Sequence, residues 1–169
     1  NEITVQVVVS LFEEPTLNFY ISQEEIRKIY GAPDYTASSE DTTVYIYGSG
    51  ADWYSYAVWE MDFFFIDNQY IESDIYIRSD LQLRVDEYLN ENYYLQGEYN
   101  DTIDDVVTTY YIYLNAEDPQ DANVLVGKIH NVGEYKDICL FYTPFNSDKR
   151  NDYKDIIGRI KKKRFIEGR

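Results

Sequence analysis

The alternation of apolar with acidic or polar residues between positions 59 and 77 limits how this chain folds more than any other feature. One set of alternating positions is Trp59, Met61, Phe63 and Phe65, and the positions between them include Glu60 and Asp62. Such a pattern is typical of a half-buried antiparallel strand. Asp67-Asn68 then predicts a tight turn. The returning strand alternates Ile71, Ser73, Ile75 and Ile77 with Glu72, Asp74 and Tyr76.

A short helix before this hairpin has clear start and stop signals. Ser22 is a good N-cap, and Glu25 three residues later completes a capping box. Gly31 ends the helix, and Pro33 prevents it from resuming. We expect the helix Ser22–Tyr30 to pack on the apolar face of the hairpin, opposite Trp59, Met61, Phe63 and Phe65.

The remaining elements predict an α+β fold, with helices packed on one face of an antiparallel sheet. A second capping box, Ser79 with Gln82, begins a helix whose apolar face is Leu81, Val85, Tyr88 and Leu89. Strands are predicted at 3–11, 42–47, 93–99, 106–114, 124–130 and 135–142. The order suggests two helix-plus-meander units, 1–78 and 79–148, within a single domain spanning 1–165.

Residues 149–165 are predicted to form a third, C-terminal helix. Its inward positions are Tyr153, Ile156, Ile157 and Ile160, and its last turn carries Lys161, Lys162, Lys163 and Arg164. Cations at this end complement the helix dipole, which is an ordinary structural role. Residues 166–169 match a protease recognition sequence that is often engineered into recombinant proteins, so no function is assigned to them.

The stretch Ile21–Asp34, a capped helix followed by Gly-x-Pro-Asp, resembles a bacterial repeat unit. It is similar to the unit of the β-lactamase-inhibitor-like fold, which also occurs in small envelope lipoproteins and immunity-type proteins. The resemblance implies a helix packed on an antiparallel meander. It also implies a non-enzymatic, protein-binding role.

Charge is distributed very unevenly along the chain. Of the 31 acidic residues, 28 precede residue 149, where there are only six Lys or Arg. Nine of the fifteen basic residues follow. A strongly negative body favours association with a basic partner and disfavours direct binding to nucleic acid.

The residue types needed for several kinds of catalysis are scarce. With one His and one Cys, a soft-metal site lacks ligands. The hairpin containing both is expected to pair Cys139 with residue 126 or 127, which places it about 10–13 Å from His130 at ~3.3 Å per residue. That separation is too long for a catalytic dyad. The acidic clusters lack EF-hand spacing and indicate solvated turns. We therefore expect no enzyme activity, no cofactor and no metal.

Two further features bear on location. No stretch approaches the ~20 apolar residues of a membrane-spanning helix. No signal-peptide pattern is present, which slightly favours the cytoplasm over secretion or the envelope. Because the first residue is not Met, the natural N-terminus is not assumed to be present.

The expected binding surface is an acidic, Tyr-bearing sheet face. Its predicted residues are Glu60, Asp62, Glu72, Asp74, Tyr76, Tyr45 and Tyr47, with Tyr54 and Tyr56 nearby. Such a face suits an inhibitor or immunity protein that neutralises a basic toxin, nuclease or secreted enzyme. One alternative is a DNA mimic that occupies a nucleic-acid-binding groove, and another is a secreted or envelope lipoprotein module. A toxin gene beside this gene would favour immunity.

Overall fold

The computed structural model describes residues 12–48, 57–103, 106–132 and 137–146. These ranges contain two α-helices, a 3₁₀ turn and eight strands. The helices are α1 (Gln23–Tyr30) and α2 (Gln82–Asn92), and the 3₁₀ turn is Ser79–Leu81. The strands are β1 (Tyr35–Ser39), β2 (Thr42–Tyr47), β3 (Val58–Ile66), β4 (Gln69–Ile77), β5 (Tyr94–Ile103), β6 (Val106–Leu114), β7 (Val124–Val132) and β8 (Asp137–Pro144).

All eight strands form one antiparallel sheet in the order β1-β2-β3-β4-β8-β7-β6-β5. A helix precedes each run of four consecutive strands. The last strands of the two runs, β4 and β8, pair at the centre, so the first strands, β1 and β5, lie at the two edges. The predicted α+β class with an antiparallel sheet is confirmed.

Helix α1 begins and ends as its sequence predicts. The Ser22 side chain accepts a hydrogen bond from the Glu25 backbone N–H at 3.3 Å, and the Ser22 N–H donates to Glu25 Oε2 at 2.8 Å. Gly31 follows the helix with φ of 82°, a conformation that glycine adopts without strain. Ile26 is fully buried. The capping box therefore fixes where α1 starts, and burial of Ile26 fixes which side faces the sheet.

One core lies between the helices and one face of the sheet, which we call the helix face. Met61, Phe63 and Phe65 belong to this core together with Ile26, and the rings of Tyr30 and Phe63 lie 4.7 Å apart. Trp59 was expected to face the helix, but it is 46% exposed. The pairing of β3 with β4 shifts register between Val58 and Glu60. That irregularity interrupts the alternation at the start of the strand.

Helix α2 packs as expected, but it starts differently. Val85 and Leu89 are buried in the helix-face core, and Leu81 and Tyr88 pack against them. The predicted Ser79–Gln82 capping box is wrong, because Ser79–Leu81 forms a 3₁₀ turn. The N-cap of α2 is Leu81, which makes no side-chain cap hydrogen bond.

Segment 12–21 also covers part of the helix face. The ring of Phe12 lies 4.9 Å from that of Tyr88, and the Tyr93 hydroxyl donates a hydrogen bond to Glu14. Leu17, Phe19 and Ile21 also pack against this core. Each element over the helix face thus contributes apolar or aromatic side chains to it.

Strand β1 was not predicted from the sequence. It is an edge strand of sequence Tyr-Thr-Ala-Ser-Ser, and only Ala37 is not exposed. A mostly polar, mostly exposed strand lacks the apolar alternation by which the other strands were recognised. The predicted strand 3–11 and the predicted helix 149–165 lie outside the described residues. Within the described ranges, no helix has the length and apolar character needed to cross a membrane.

Candidate functional site

Five residues predicted to bind a partner lie together on the second face of the sheet, which we call the far face. They belong to the adjacent strands β3 and β4, where Asp62 pairs with Asp74 and Glu60 pairs with Tyr76. Glu72 pairs with Phe64, one position further along the same face. We call the four carboxylates Glu60, Asp62, Glu72 and Asp74 the acidic strip.

The acidic strip does not form the solvent-facing surface that the sequence predicted. Asp62, Glu72 and Asp74 are 0%, 1% and 3% exposed, and Tyr76 is also buried. Only Glu60 is partly exposed. The prediction assumed that the acidic residues, which alternate with apolar ones along β3 and β4, face solvent. The far face instead carries a second buried cluster, which continues across the central strands.

Tyr45 and Tyr47 lie on the helix face, so their assignment to the acidic surface is wrong. They pair with Phe63 and Met61, whose side chains face the helices. The Tyr45 hydroxyl donates to Gln23 Oε1 at 2.7 Å, and the Tyr47 hydroxyl donates to the Gly31 carbonyl at 3.0 Å. Burial raises the pKa of Tyr47 to about 12. Tyr54 and Tyr56 lie outside the described residues.

Beside the acidic strip, the far face is apolar and tightly packed. Phe141 pairs with Asp74 on one side and with Gly127 on the other. A Cβ atom at Gly127 would lie 1.7 Å from Phe141 Cζ, so the Phe141 ring occupies the space above this glycine. The neighbouring buried residues are Tyr76, Tyr110, Ile112, Leu114, Leu125, Ile129 and Cys139. The far face therefore has an acidic half on β3 and β4 and an apolar half on β6 to β8.

His130 and Cys139 are closer in register than predicted, but they lie on opposite faces of the sheet. Cys139 pairs with Ile129, rather than with residue 126 or 127, and belongs to the far-face cluster. The His130 ring stands edge-on to Tyr111 at 5.8 Å, beside Lys128 on the helix face. Burial, together with the Lys128 charge, lowers the pKa of His130. The sheet itself separates the two side chains.

A buried lysine on the helix face was not singled out from the sequence. Lys128 is 4% exposed, forms an ion pair with Asp86 of α2, and lies 4.3 Å from the centroid of the Tyr111 ring. Lys128 follows Val124 and Val126 at alternating positions of β7, and because both valines belong to the helix-face core, the same alternation could have indicated a buried lysine. Its contacts hold α2 against the sheet through a charge pair and a cation–π interaction.

Exposed carboxylates gather at one end of the sheet, beside α1. We call Glu24, Glu40, Asp41 and Asp67, together with Tyr20, the acidic rim. All five are exposed. They come from the start of α1, the β1–β2 turn, the β3–β4 turn and the chain before α1.

Backbone contacts hold the parts of the acidic rim together. Thr42 pairs with Ile66, which brings the two turns side by side, and Ser22 bridges to Gln69. The Gln23 backbone N–H donates to Asn68 Oδ1 at 3.2 Å. Tyr20 is 58% exposed and has φ of 70°, and its N–H donates to the Tyr70 carbonyl at 2.7 Å.

Among the residues that the structure describes, no group of three or more His, Cys, Asp or Glu side chains is arranged to hold a metal ion. No protein-family model matches this chain, and no curated protein or solved structure was found to be similar to it.

Proposed function

We propose that this protein is a non-enzymatic, acidic protein-binding module of inhibitor or immunity type, which neutralises a basic partner protein. The observation that carries the proposal is the acidic rim, where exposed carboxylates surround an exposed tyrosine. The net charge of −16 supports the same reading. The binding surface is accordingly assigned to the rim and not to the buried acidic strip.

The chemistry of the rim suits recognition of a basic surface. Carboxylates attract a positively charged partner and speed its approach, and a tyrosine ring supplies contact area at low entropic cost. Glu24 already pairs with Lys28 at 2.9 Å. Glu40, Asp41 and Asp67 therefore carry most of the steering charge. The residues stand on turns fixed by sheet pairing, so little ordering is needed on binding.

The test compares two triple variants that change net charge equally. The rim variant is Glu40→Gln, Asp41→Asn and Asp67→Asn. The control variant is Glu87→Gln, Glu91→Gln and Glu98→Gln, which removes exposed carboxylates from α2 and from β5 at the opposite edge of the sheet. The probe is lysozyme, a folded basic protein. Where the neighbouring gene encodes a toxin, that toxin is the better probe.

We expect the rim variant to associate about fivefold more slowly than wild type at low salt, and the control variant less than about twofold more slowly. The difference should shrink near 0.15 M salt, where charges are screened beyond about 8 Å. Tyr20→Asn, which keeps a side chain that tolerates positive φ, should speed dissociation. If both triple variants associate with lysozyme equally slowly, net charge alone explains the slower association, and a binding role for the rim is contradicted.

A further inference from the structure

Among the residues that the structure describes, strand β1 has a neighbouring strand on one side only. It stands first in the sheet order and pairs with β2. Because alternate residues of an antiparallel strand bond to the same neighbour, the N–H and C=O groups of the other residues of β1 point away from the sheet. We call this outer side of the strand the β1 edge. Such a row of main-chain groups is a template for pairing with another extended chain.

The opposite edge strand, β5, carries more protection against an added strand. It contains the charged residues Glu98 and Asp101, and its pairing with β6 shifts register between Leu95 and Gly97. Charges and bulges are means by which proteins prevent pairing at a sheet edge. The sequence of β1, Tyr-Thr-Ala-Ser-Ser, has no charge, and all five residues pair with β2 in one unbroken register. Of the two edges, the β1 edge is therefore the better template.

The side chains of β1 leave this edge accessible. Thr36, Ser38 and Ser39 are small and exposed, and Tyr35 is 64% exposed. In an extended sheet, the Tyr35 ring would lie beside a side chain of the added strand. Aromatic rings pair favourably with β-branched side chains across strands. A segment that carries a β-branched residue at this position fits the β1 edge best.

Exposed carboxylates flank β1 at both ends. Asp34 directly precedes the strand, and Glu40 and Asp41 follow it in the turn to β2. One cation is near, because Arg27 lies over the ring of Tyr45 on β2, but the balance of charge remains negative. From Asp34 to Glu40 the chain spans about 20 Å. Charge complementarity thus favours an extended segment that has cations about 20 Å apart, at its two ends.

The same charges disfavour a second copy of this chain at the β1 edge. Antiparallel pairing of two β1 strands, centred on Ala37, would place Asp34 of each copy opposite Glu40 of the other. Like charges in directly opposed positions destabilise a sheet. A basic segment meets no such repulsion, so it is the occupant that the charges select.

We propose that the basic partner adds an extended segment to the β1 edge, with main-chain hydrogen bonds to β1 and with cations beside Asp34 and beside Glu40 and Asp41. This mode of binding rests on the proposed function, because Glu40 and Asp41 belong to the acidic rim that attracts the partner. In strand addition, main-chain hydrogen bonds supply affinity and side chains supply specificity. The rim thus brings the partner to the edge that holds it.

Two fluorescently labelled peptides test the proposal on the wild-type protein. The first is Lys-Thr-Val-Thr-Val-Thr-Lys, whose lysines stand six positions apart, as Asp34 and Glu40 do. The second has the same sequence, with the backbone nitrogens between its lysines methylated. Both peptides have the same charge and side chains, but the methylated residues cannot donate main-chain hydrogen bonds. Fluorescence anisotropy at low salt measures the Kd of each.

We expect the unmethylated peptide to bind at least about fivefold more tightly than the methylated one, because each main-chain hydrogen bond adds to affinity. Equal affinity of the two peptides, or no binding of either, would overturn strand addition at the β1 edge. This failure is distinct from failure of the proposed function. Equal slowing of lysozyme association in the two triple variants would contradict only the role of the rim.

The variants Tyr35→Thr and Tyr94→Thr identify which edge binds the peptide. Each tyrosine is the first residue of an edge strand, and the two are 64% and 48% exposed. Threonine suits a strand, so both variants should keep their stability. Tyr35→Thr should weaken binding of the unmethylated peptide about threefold, and Tyr94→Thr less than about 1.5-fold. An equal or larger loss in Tyr94→Thr would overturn the assignment to the β1 edge.

Amide hydrogen exchange, measured by NMR, shows whether the β1 edge is open in the free protein. Alternate amides of β1 should exchange rapidly in the free protein and at least about fivefold more slowly with the unmethylated peptide bound. If every amide of β1 exchanges slowly in the free protein, the edge is already paired, and the proposal is overturned. Sedimentation would then show whether a second copy or another part of the same chain is paired there.

Discussion

The two faces of the sheet bury polar groups of different kinds. On the helix face, several tyrosine hydroxyls and one buried lysine have partners in the described chain: Tyr45 donates to Gln23, Tyr47 to Gly31 and Tyr70 to Thr16, and Lys128 forms an ion pair with Asp86. On the far face, the buried polar groups include carboxylates, with Asp62 opposite Asp74. A buried hydroxyl needs one hydrogen bond, whereas a buried carboxylate needs a balancing charge or a proton. The helix face therefore balances its buried charge within the described chain, through Lys128 and Asp86, whereas the far face holds three nearly buried carboxylates on two adjacent strands.

The largest expected effect is loss of a ring from the helix face. Phe63 is fully buried, and its ring lies 4.7 Å from that of Tyr30 and 5.5 Å from that of Tyr70. Phe63→Ala should lower the free energy of unfolding by about 3–5 kcal/mol, because it leaves a cavity. Urea denaturation measures the change. A loss below about 1 kcal/mol would show that the helix face is not the main apolar core.

A smaller effect is expected from crowding the far face. Gly127→Ala would place a methyl group against the Phe141 ring and should cost about 1–3 kcal/mol. Gly97→Ala is the matched control, because its Cβ atom would meet nothing closer than Tyr99 at 3.7 Å. Equal stability of the two variants would mean that Phe141 does not pack over Gly127 in solution.

A third prediction concerns the two helices that cover the helix face. Ser22→Ala removes the N-cap of α1 and should cost about 1 kcal/mol. Ser79→Ala should change stability by less than about 0.5 kcal/mol, because α2 has no side-chain cap. Thermal or urea unfolding compares the two substitutions. If Ser79→Ala lowers the free energy of unfolding more than Ser22→Ala does, Ser79 caps α2 in solution, which would contradict the structure.

The smallest expected effect is the pH dependence contributed by His130. Burial and Lys128 lower its pKa in the folded protein. At the same pH, the His130 imidazole therefore binds a proton more readily in the unfolded chain than in the folded protein. As the pH falls through about 6.5 towards the lower pKa of the folded state, protonation favours the unfolded chain and the free energy of unfolding decreases. The His130→Gln variant and the wild type share the same carboxylates, so the difference between them isolates His130. The free energy of unfolding should fall less steeply in the variant than in the wild type as the pH decreases from about 7 to 5. If the pH dependence of the free energy of unfolding is the same in the variant and the wild type, the pKa of His130 is not lowered by folding and its side chain is solvent-exposed.

How much the sequence predicted depends on whether the signal is local. The capping box of α1 and the alternation of β3 and β4 act over a few residues, and both elements form where expected. The alternation in β3 correctly put Asp62 and Phe63 on opposite faces of the sheet, but it could not show that the face carrying Asp62 is buried as well. The acidic rim was missed because Tyr20, Glu40 and Asp67 come from separate turns that only the sheet pairing brings together.

Carboxyl labelling with a carbodiimide and glycine ethyl ester tests the central contrast between buried and exposed acids most directly. In the folded protein, Glu40, Asp41 and Asp67 should be labelled readily, because their side chains are exposed. Asp62, Glu72 and Asp74 should react at least about tenfold more slowly and reach the same rate only after unfolding, since solvent access requires opening of the far face. Equal labelling of both groups in the folded protein would contradict the burial of the acidic strip and return it to the surface as a candidate binding site.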